Sequence, residues 1–238
     1  MGIRIKERFV IKNCRKTDYF GQNTSVSIGA PHLSLVLRPG NISGYSITRD
    51  TRRTAVIRKR GKMRKAVLYI AMSLDGYIAD RNGGVGWLEG DGSDCSHPGT
   101  YEAFYKTVDT IILGNKTYRQ IAEELSPDKW IYEGKKSYVL THHPPMSTEE
   151  VTFTARPIED LVRDLKNEKG KDIWICGGAS VINQLLESDL IDRICITIIP
   201  VILGQGVPLF SEHEKSMKLK LKSVKSYNGM TDLIYEKR

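Results

Sequence analysis

The sequence predicts an α/β fold: a sheet assembled from strand–helix units, with an antiparallel hairpin added at its C-terminal end. Three observations carry that prediction. Asp172-Ile-Trp-Ile-Cys176 is an apolar run of strand length, Gly177-Gly178 follows it, and Val181, Ile182, Leu185 and Leu186 then recur at helical spacing. The hydrophobic period thus changes from strand to helix across two glycines. Thr110-Ile-Ile-Leu113, Gly114-Asn-Lys-Thr-Tyr118 and a helix running to about Leu125 repeat the arrangement. Finally, Met217 to Val224 and Met230 to Tyr235 flank Asn228-Gly229, a dipeptide of tight hairpin turns.

Taken in order, residues 1–62 stand apart. They hold 14 Lys and Arg against three acids, a surplus of +11, whereas residues 63–238 hold 22 against 25, a balance of −3. Gly, Ser, Thr, Asn and Arg are scattered there without a sustained period. The segment reads as a basic N-terminal extension, either a disordered tail suited to nucleic acid or a membrane surface, a targeting peptide, or a mis-assigned start. The last is favoured: Met63 stands directly before the first convincing strand, and Arg60-Gly61-Lys62 can be encoded by a purine-rich run resembling a ribosome-binding site.

From Met63 the pattern is regular. Ala66-Val-Leu-Tyr-Ile-Ala-Met72 is a buried strand, Ser73-Leu-Asp-Gly76 a turn, and Tyr77-Ile-Ala79 extended again. Asp80 to Gly92 holds five glycines and one apolar anchor, Trp87-Leu88, the make-up of a flexible lid over a site. Pro98 to Lys106 is a short helix with Tyr101, Phe104 and Tyr105 on one face. Lys136 to Thr141 is a third strand, Val151 to Thr154 is extended, and Pro157 to Lys166 is an amphipathic helix whose Leu161, Val162 and Leu165 form the buried stripe. Leu190 to Ile199 is a strand. Pro200 to Phe210 is an apolar loop punctuated by Gly and Pro. In the hairpin, Leu219, Leu221 and Val224 alternate with lysines, as a half-exposed strand does.

Composition excludes several functions. No apolar run reaches the roughly 18 residues that span a bilayer. Without its first quarter, the chain offers no electrostatic reason to bind nucleic acid or an anionic membrane. Cys14, Cys95, Cys176 and Cys195 include no Cys-x-x-Cys, and Cys176 and Cys195 lie in apolar strands, so reduced thiols in a cytoplasmic protein are expected. The five histidines lack the i, i+4 spacing of a helical metal pair, so no metal site is expected.

The chemistry lies in the two glycine junctions. A strand that ends on glycine and opens a helix leaves unpaired N–H groups and the positive end of the helix dipole free to meet an anion such as phosphate. Lys116 adds a cation and Thr117 a hydroxyl beside one of them. Two such junctions on one sheet suit a ligand with more than one phosphate.

Together these motifs resemble the dihydrofolate reductase-like superfamily, and most closely its branch related to the reductase domain of bacterial riboflavin biosynthesis. Four stretches carry the resemblance: Ser73-Leu-Asp-Gly-Tyr-Ile-Ala79, Gly114-Asn-Lys-Thr-Tyr118, Ile173-Trp-Ile-Cys-Gly-Gly-Ala-Ser-Val181, and Ile198 to Phe210. It implies a three-layer α/β/α fold over 63–238, with a central mixed, mostly parallel sheet and NADPH across the strand ends. By the same resemblance, Gly177, Gly178, Ala179, Ser180 and Val181 lie along the pyrophosphate and nicotinamide ribose. Gly114, Lys116 and Thr117 cap the other phosphates, Thr141 and His142 lie near the adenosine 2′-phosphate, and Ala71 and Ile78 frame the nicotinamide. Asp75 is the candidate catalytic or orienting group, with a turn-forming Asp before Gly76 as its structural alternative. Two positions depart from the family. Asn115 stands where Arg is common, and no acid occupies the stretch from Pro98 to Tyr101, where true dihydrofolate reductases carry a substrate-binding carboxylate.

The expected function is therefore a cytoplasmic NADPH-dependent reductase. It would pass hydride to a C=N or C=O of a small pyrimidine- or pteridine-like substrate, as 5-amino-6-(5-phosphoribosylamino)uracil reductases do, and could assemble as a homodimer. Dihydrofolate reductase proper ranks below it for want of the carboxylate. A non-catalytic nucleotide-binding protein is the alternative from another class.

Overall fold

The computed structural model describes residues 63–93, 99–212 and 216–238, and the backbone of 45–46 and 58–59. The described residues fall into two units, 63–238 and a part of Arg15–Lys62. In the latter, strand β1 (Tyr45–Ser46) pairs antiparallel with β2 (Arg58–Lys59). The readings of 1–62 otherwise fall outside the described residues, as do Cys95, His97, Pro98 and His213.

Strand β3 (Ala66–Ser73) is apolar at all but its last residue because both of its faces are covered. Ala66 and Leu68 turn toward one core cluster, Val67 and Tyr69 toward another. The same alternation runs through β5 (Val108–Gly114), β6 (Lys136–Leu140), β8 (Asp172–Gly177) and β9 (Arg193–Ile199), whereas β7 (Val151–Thr154) gives Val151 and Phe153 to the second cluster alone. With β11 (Leu219–Tyr227) and β12 (Met230–Lys237) these join an eight-stranded sheet in the order β11-β12-β9-β3-β8-β5-β6-β7. Its six strands from β9 to β7 are parallel; β12 and β11 add the antiparallel hairpin.

Among the described residues, four helices complete the layers. Helix α1 (Tyr101–Thr107) and helix α2 (Asn115–Arg119), which runs on as a π-helical turn Gln120–Leu125, supply Tyr101, Phe104, Tyr118 and Ile121 to one face of the sheet. Helices α3 (Ile158–Asn167) and α4 (Ala179–Glu187) supply Leu161, Val162, Leu165, Val181, Ile182 and Leu185 to the other. The expected three-layer α/β/α architecture with a mixed, mostly parallel sheet is what forms.

At the strands' N-terminal edge, the buried Arg64 guanidinium bonds to Asp109, to the Thr110 hydroxyl at 2.5 Å and to the Lys171 carbonyl at 2.5 Å, tying β3, β5 and the approach to β8. The opposite, C-terminal edge is left for a site.

Two strands differ from expectation. Leu190 to Asp192 are not in β9, because Asp189 at φ 57° turns the chain and Asp192 caps the Ala66 N–H at 2.7 Å. In β11 Leu219 packs against the core, but Leu221 is 49% and Val224 52% exposed. A register shift between Leu221 and Ser223 breaks the alternation on this outermost strand.

Candidate active site

A cavity of about 1220 Å³ opens at the C-terminal edge of the parallel strands. The chain runs outward through β5, β6 and β7, then returns β8 to a place between β3 and β5. Where strand order reverses, the loops after neighbouring strands part in opposite directions and leave a crevice. The ends of β3, β5, β6, β7, β8 and β9 reach its lining as Ala71, Gly114, Thr141, Thr154, Cys176 and Thr197.

One wall is made by the two glycine junctions. Gly114 precedes α2 and Gly178 precedes α4, both in extended backbone. The junctions nearly touch: a Cβ on Gly178 would meet the Thr117 hydroxyl oxygen at 3.3 Å, and one on Gly114 would meet Val181 Cγ2 at 3.3 Å. Gly177 adopts φ +120°, a region that favours glycine, and its peptide to Gly178 is cis. Of the residues singled out from sequence, Ala71, Ile78, Gly114, Lys116, Thr117, Thr141, His142, Gly178, Ala179, Ser180 and Val181 all line this one cavity. Gly177 lies just beneath, within the sheet, with its carbonyl 3.9 Å from a Cβ placed on Gly114.

Asp75 is placed elsewhere. Its carboxylate accepts from the Ser73 hydroxyl at 2.6 Å and from the N–H groups of Leu203 and Gly204 at 3.1 and 2.7 Å. The Ser73 hydroxyl foremost, with these amides, holds the carboxyl below its usual range. Asp75 is exposed and absent from the cavity lining; through these bonds it fastens the Pro200–Phe210 loop to the turn that follows β3. The same loop is tied by β10 (Val207–Pro208), which pairs antiparallel with β4 (Tyr77–Ala79).

The Gly-rich segment over the cavity is pinned at several points. Asp80 accepts from Asn82 and Gly84 N–H at 2.7 and 2.9 Å, closing the first turn. Gln120 from the π-helical turn donates to the Gly83 carbonyl at 2.9 Å. Trp87 and Leu88 pack against Ile199, Tyr227 and Met230. At the far end, the Asn228 carbonyl accepts from Asp91 at 3.1 Å and its side chain from Gly92 at 2.6 Å.

The floor was not legible in the sequence. Tyr69, Trp174, Thr197 and Met230 reach the cavity from four strands. In the sequence they are ordinary strand residues, and nothing local marks them. Tyr69 stacks on Phe104 at 4.4 Å between centroids, and Trp174 donates its indole N–H to the Tyr69 carbonyl at 3.0 Å. Burial foremost, with the Asp232 charge, raises the Tyr69 phenol above its ordinary range. Burial pushes the Cys176 thiol up to about 12, which makes it a poor nucleophile. Arg156, at the other end of the cavity, pairs with Asp164 at 2.5 Å. Among the described residues no group of His, Cys, Asp and Glu could hold a metal ion, and no helix is long and apolar enough to cross a membrane.

The family model of the RibD C-terminal domain matches residues 64–235. The uncharacterized protein YwjB of Bacillus subtilis is 44% identical over 176 residues, covering 72% of this chain and 97% of that one. The crystal structure of a Shewanella sp. PV-4 protein assigned to riboflavin biosynthesis superposes with a TM-score of 0.64 at 30% identity, over 73% of this chain and 99% of that one. The diaminohydroxyphosphoribosylaminopyrimidine deaminase/5-amino-6-(5-phosphoribosylamino)uracil reductase of Thermotoga maritima superposes with a TM-score of 0.54 at 15% identity, over 74% of this chain and 57% of that one. That last likeness is one of fold.

Proposed function

Because the chain belongs to the RibD C-terminal domain family, we propose that it is an NADPH-dependent reductase. Its substrate would be a small pyrimidine- or pteridine-like molecule with a reducible C=N or C=O, in the manner of 5-amino-6-(5-phosphoribosylamino)uracil reductases. One observation carries the reading: both glycine junctions, with bare backbone and helix starts, open on one cavity. Its roughly 1220 Å³ exceeds what a single drug-sized ligand fills, about 1,000 Å³ at most, so a dinucleotide and a small second molecule can share it.

The residues present fit that cofactor. At Gly114 and Gly178 a side chain would crowd Val181 and Thr117, and bare backbone at the two helix starts suits the approach of phosphate oxygens. Lys116, exposed at the first turn of α2, supplies a point charge in place of the family's Arg. Thr141, His142 and Arg156 suit the adenosine 2′-phosphate, and Ala71 and Ile78 suit the nicotinamide face. NADPH supplies the hydride. The chain's own part is to hold cofactor and substrate in register and to keep water out beneath Trp87 and Leu88.

The reading also covers the protein's setting. It is a cytoplasmic enzyme with a small-molecule substrate, and 63–238 binds neither nucleic acid nor membrane. It forms a homodimer through the exposed β11 edge or the Pro200–Phe210 loop.

The test is a titration of the full chain with NADPH and NADH, followed by turnover measured as loss of the reduced cofactor against pyrimidines, pterins and carbonyls. Dissociation constants in the micromolar range and turnover of a pyrimidine support the proposal. Binding without turnover favours a nucleotide-binding protein, folate turnover favours dihydrofolate reductase, and the absence of binding at millimolar cofactor sinks the reading.

A further inference from the structure

The cavity floor has a hydrogen-bond polarity that follows from a single buried carboxylate. Asp232 lies on β12 opposite Thr197 of β9 and is 3% exposed. One of its oxygens accepts from the Thr197 hydroxyl at 2.6 Å and the Tyr227 hydroxyl at 3.0 Å. The other accepts from the Thr100 hydroxyl at 2.5 Å and the Thr100 N–H at 3.2 Å. Thr100 directly precedes α1, so this carboxylate joins β9, β12, the end of β11 and the start of that helix.

An ionised carboxylate only accepts, and a hydroxyl has one proton to donate. Thr100, having directed its proton to Asp232, can only accept from the Tyr69 hydroxyl, 3.0 Å away. Donation therefore runs from Tyr69 to Thr100 to Asp232, and from Thr197 to Asp232. Tyr69 and Thr197 both line the cavity, and both protons are taken up by acceptors of the protein itself, Thr100 and Asp232. What these two groups offer a ligand is oxygen lone pairs. Hydroxyls with neutral partners could turn either way; beside this carboxylate they cannot.

We infer that the substrate side of the cavity selects molecules presenting N–H or O–H donors, such as the amino-substituted edge of a heterocycle, and that Asp232 is the positioning residue that sets this polarity. The place of the substrate rests on the reductase reading; the polarity of the floor does not. A ligand edge of acceptors alone would set oxygen against oxygen on the floor, which is worth about tenfold or more in affinity.

The experiment measures binding of 2,4-diaminopyrimidine and 2,4-dimethoxypyrimidine to the full chain by calorimetry, with and without saturating NADP+. The two share a ring, but the amino groups donate whereas the methoxy groups only accept. The native protein is expected to prefer the diamino compound by about tenfold or more. In Asp232→Asn the amide nitrogen donates to a neighbouring hydroxyl and turns that proton outward, so the preference falls to about threefold or less. Tyr69→Phe and Thr197→Val each remove one acceptor and weaken the diamino compound selectively, which keeps the test open should Asp232→Asn not fold. Equal affinities in the native protein, binding of neither compound, or a preference surviving in all folded variants overturns the inference. A protein that shows the preference and does not bind NADPH refutes the reductase reading and leaves the polarity assignment standing.

Discussion

Thr117 and Gly178 stand face to face across the cavity wall, so close that a Cβ on Gly178 would come within 3.3 Å of the Thr117 hydroxyl oxygen. Thr117 belongs to the first junction and Gly178 to the second, 61 residues along the chain. The contact makes two local turns into one continuous wall. Gly178→Ala adds a methyl there while keeping an extended backbone that alanine tolerates. We expect NADPH affinity to fall by about tenfold, as it does when one good hydrogen bond to an ionic ligand is displaced. The melting temperature should change little. Unchanged affinity in a cofactor titration would remove this wall from the phosphate site.

Asp75→Asn tests a different attachment. The carboxylate's bonds to Ser73, Leu203 and Gly204 make it the peg for the Pro200–Phe210 loop. The variant should bind NADPH as the native protein does and be cleaved faster by protease within that loop. A loss of turnover with unchanged proteolysis would point instead to a chemical role for Asp75.

The lid's far attachment can be broken from its own side. A Cβ on Gly90 would lie 2.3 Å from the Asn228 backbone oxygen, so backbone must move to admit it. In Gly90→Ala the bonds from Asp91 and Gly92 to Asn228 are expected to loosen. On the reductase reading, kcat/KM then falls by about tenfold or more, while cofactor affinity, governed by the opposite wall, stays within about twofold. Hydrogen exchange of the Asp91 and Gly92 amides reports the loosening directly; if they stay as protected as in the native chain, the attachment lies elsewhere.

Glu236 gives a pH-dependent prediction. Hydrogen bonds from Arg193 first and then Lys65 hold its carboxyl down at about 2. A depressed carboxylate stabilises the fold above its unfolded value of about 4.3 and loses that contribution as pH falls toward 2. The group is partly solvated, and its ion pairs are screened accordingly, so its contribution is roughly 1 kcal/mol. Glu236→Gln should therefore melt about 2 to 4 °C below the native protein at pH 7. The gap should close as pH is lowered from about 4.3 toward 2. A gap that is constant with pH would show lost packing rather than lost charge.

Much of the wall was readable in advance. The glycines at 114 and 177–178 announce themselves through a change of hydrophobic period, which depends on neighbours in the chain. So do the stripe of Leu161, Val162 and Leu165 and the turn at Asn228-Gly229. Asp75 was harder, because Ser-Leu-Asp-Gly reads equally as a turn and as a site; its placement was settled by Leu203 and Gly204, which lie 128 and 129 residues away. The exposure of Leu221 and Val224 escaped the alternation rule because a bulge in an outermost strand has no signature in composition.

Hydrophobic period and glycine punctuation are properties of consecutive residues, and they suffice for the α/β class, the order of strands and helices, and a phosphate-suited backbone at two turns. Which strand lies beside which is set by burial between distant segments. Only the folded chain could bring Tyr69, Thr197 and Asp232 into one hydrogen-bonded floor, since the direction of a hydroxyl proton depends on an acceptor that can sit anywhere in the sequence. The wall that suits a cofactor is thus written locally, whereas the floor that meets a substrate comes from long-range packing.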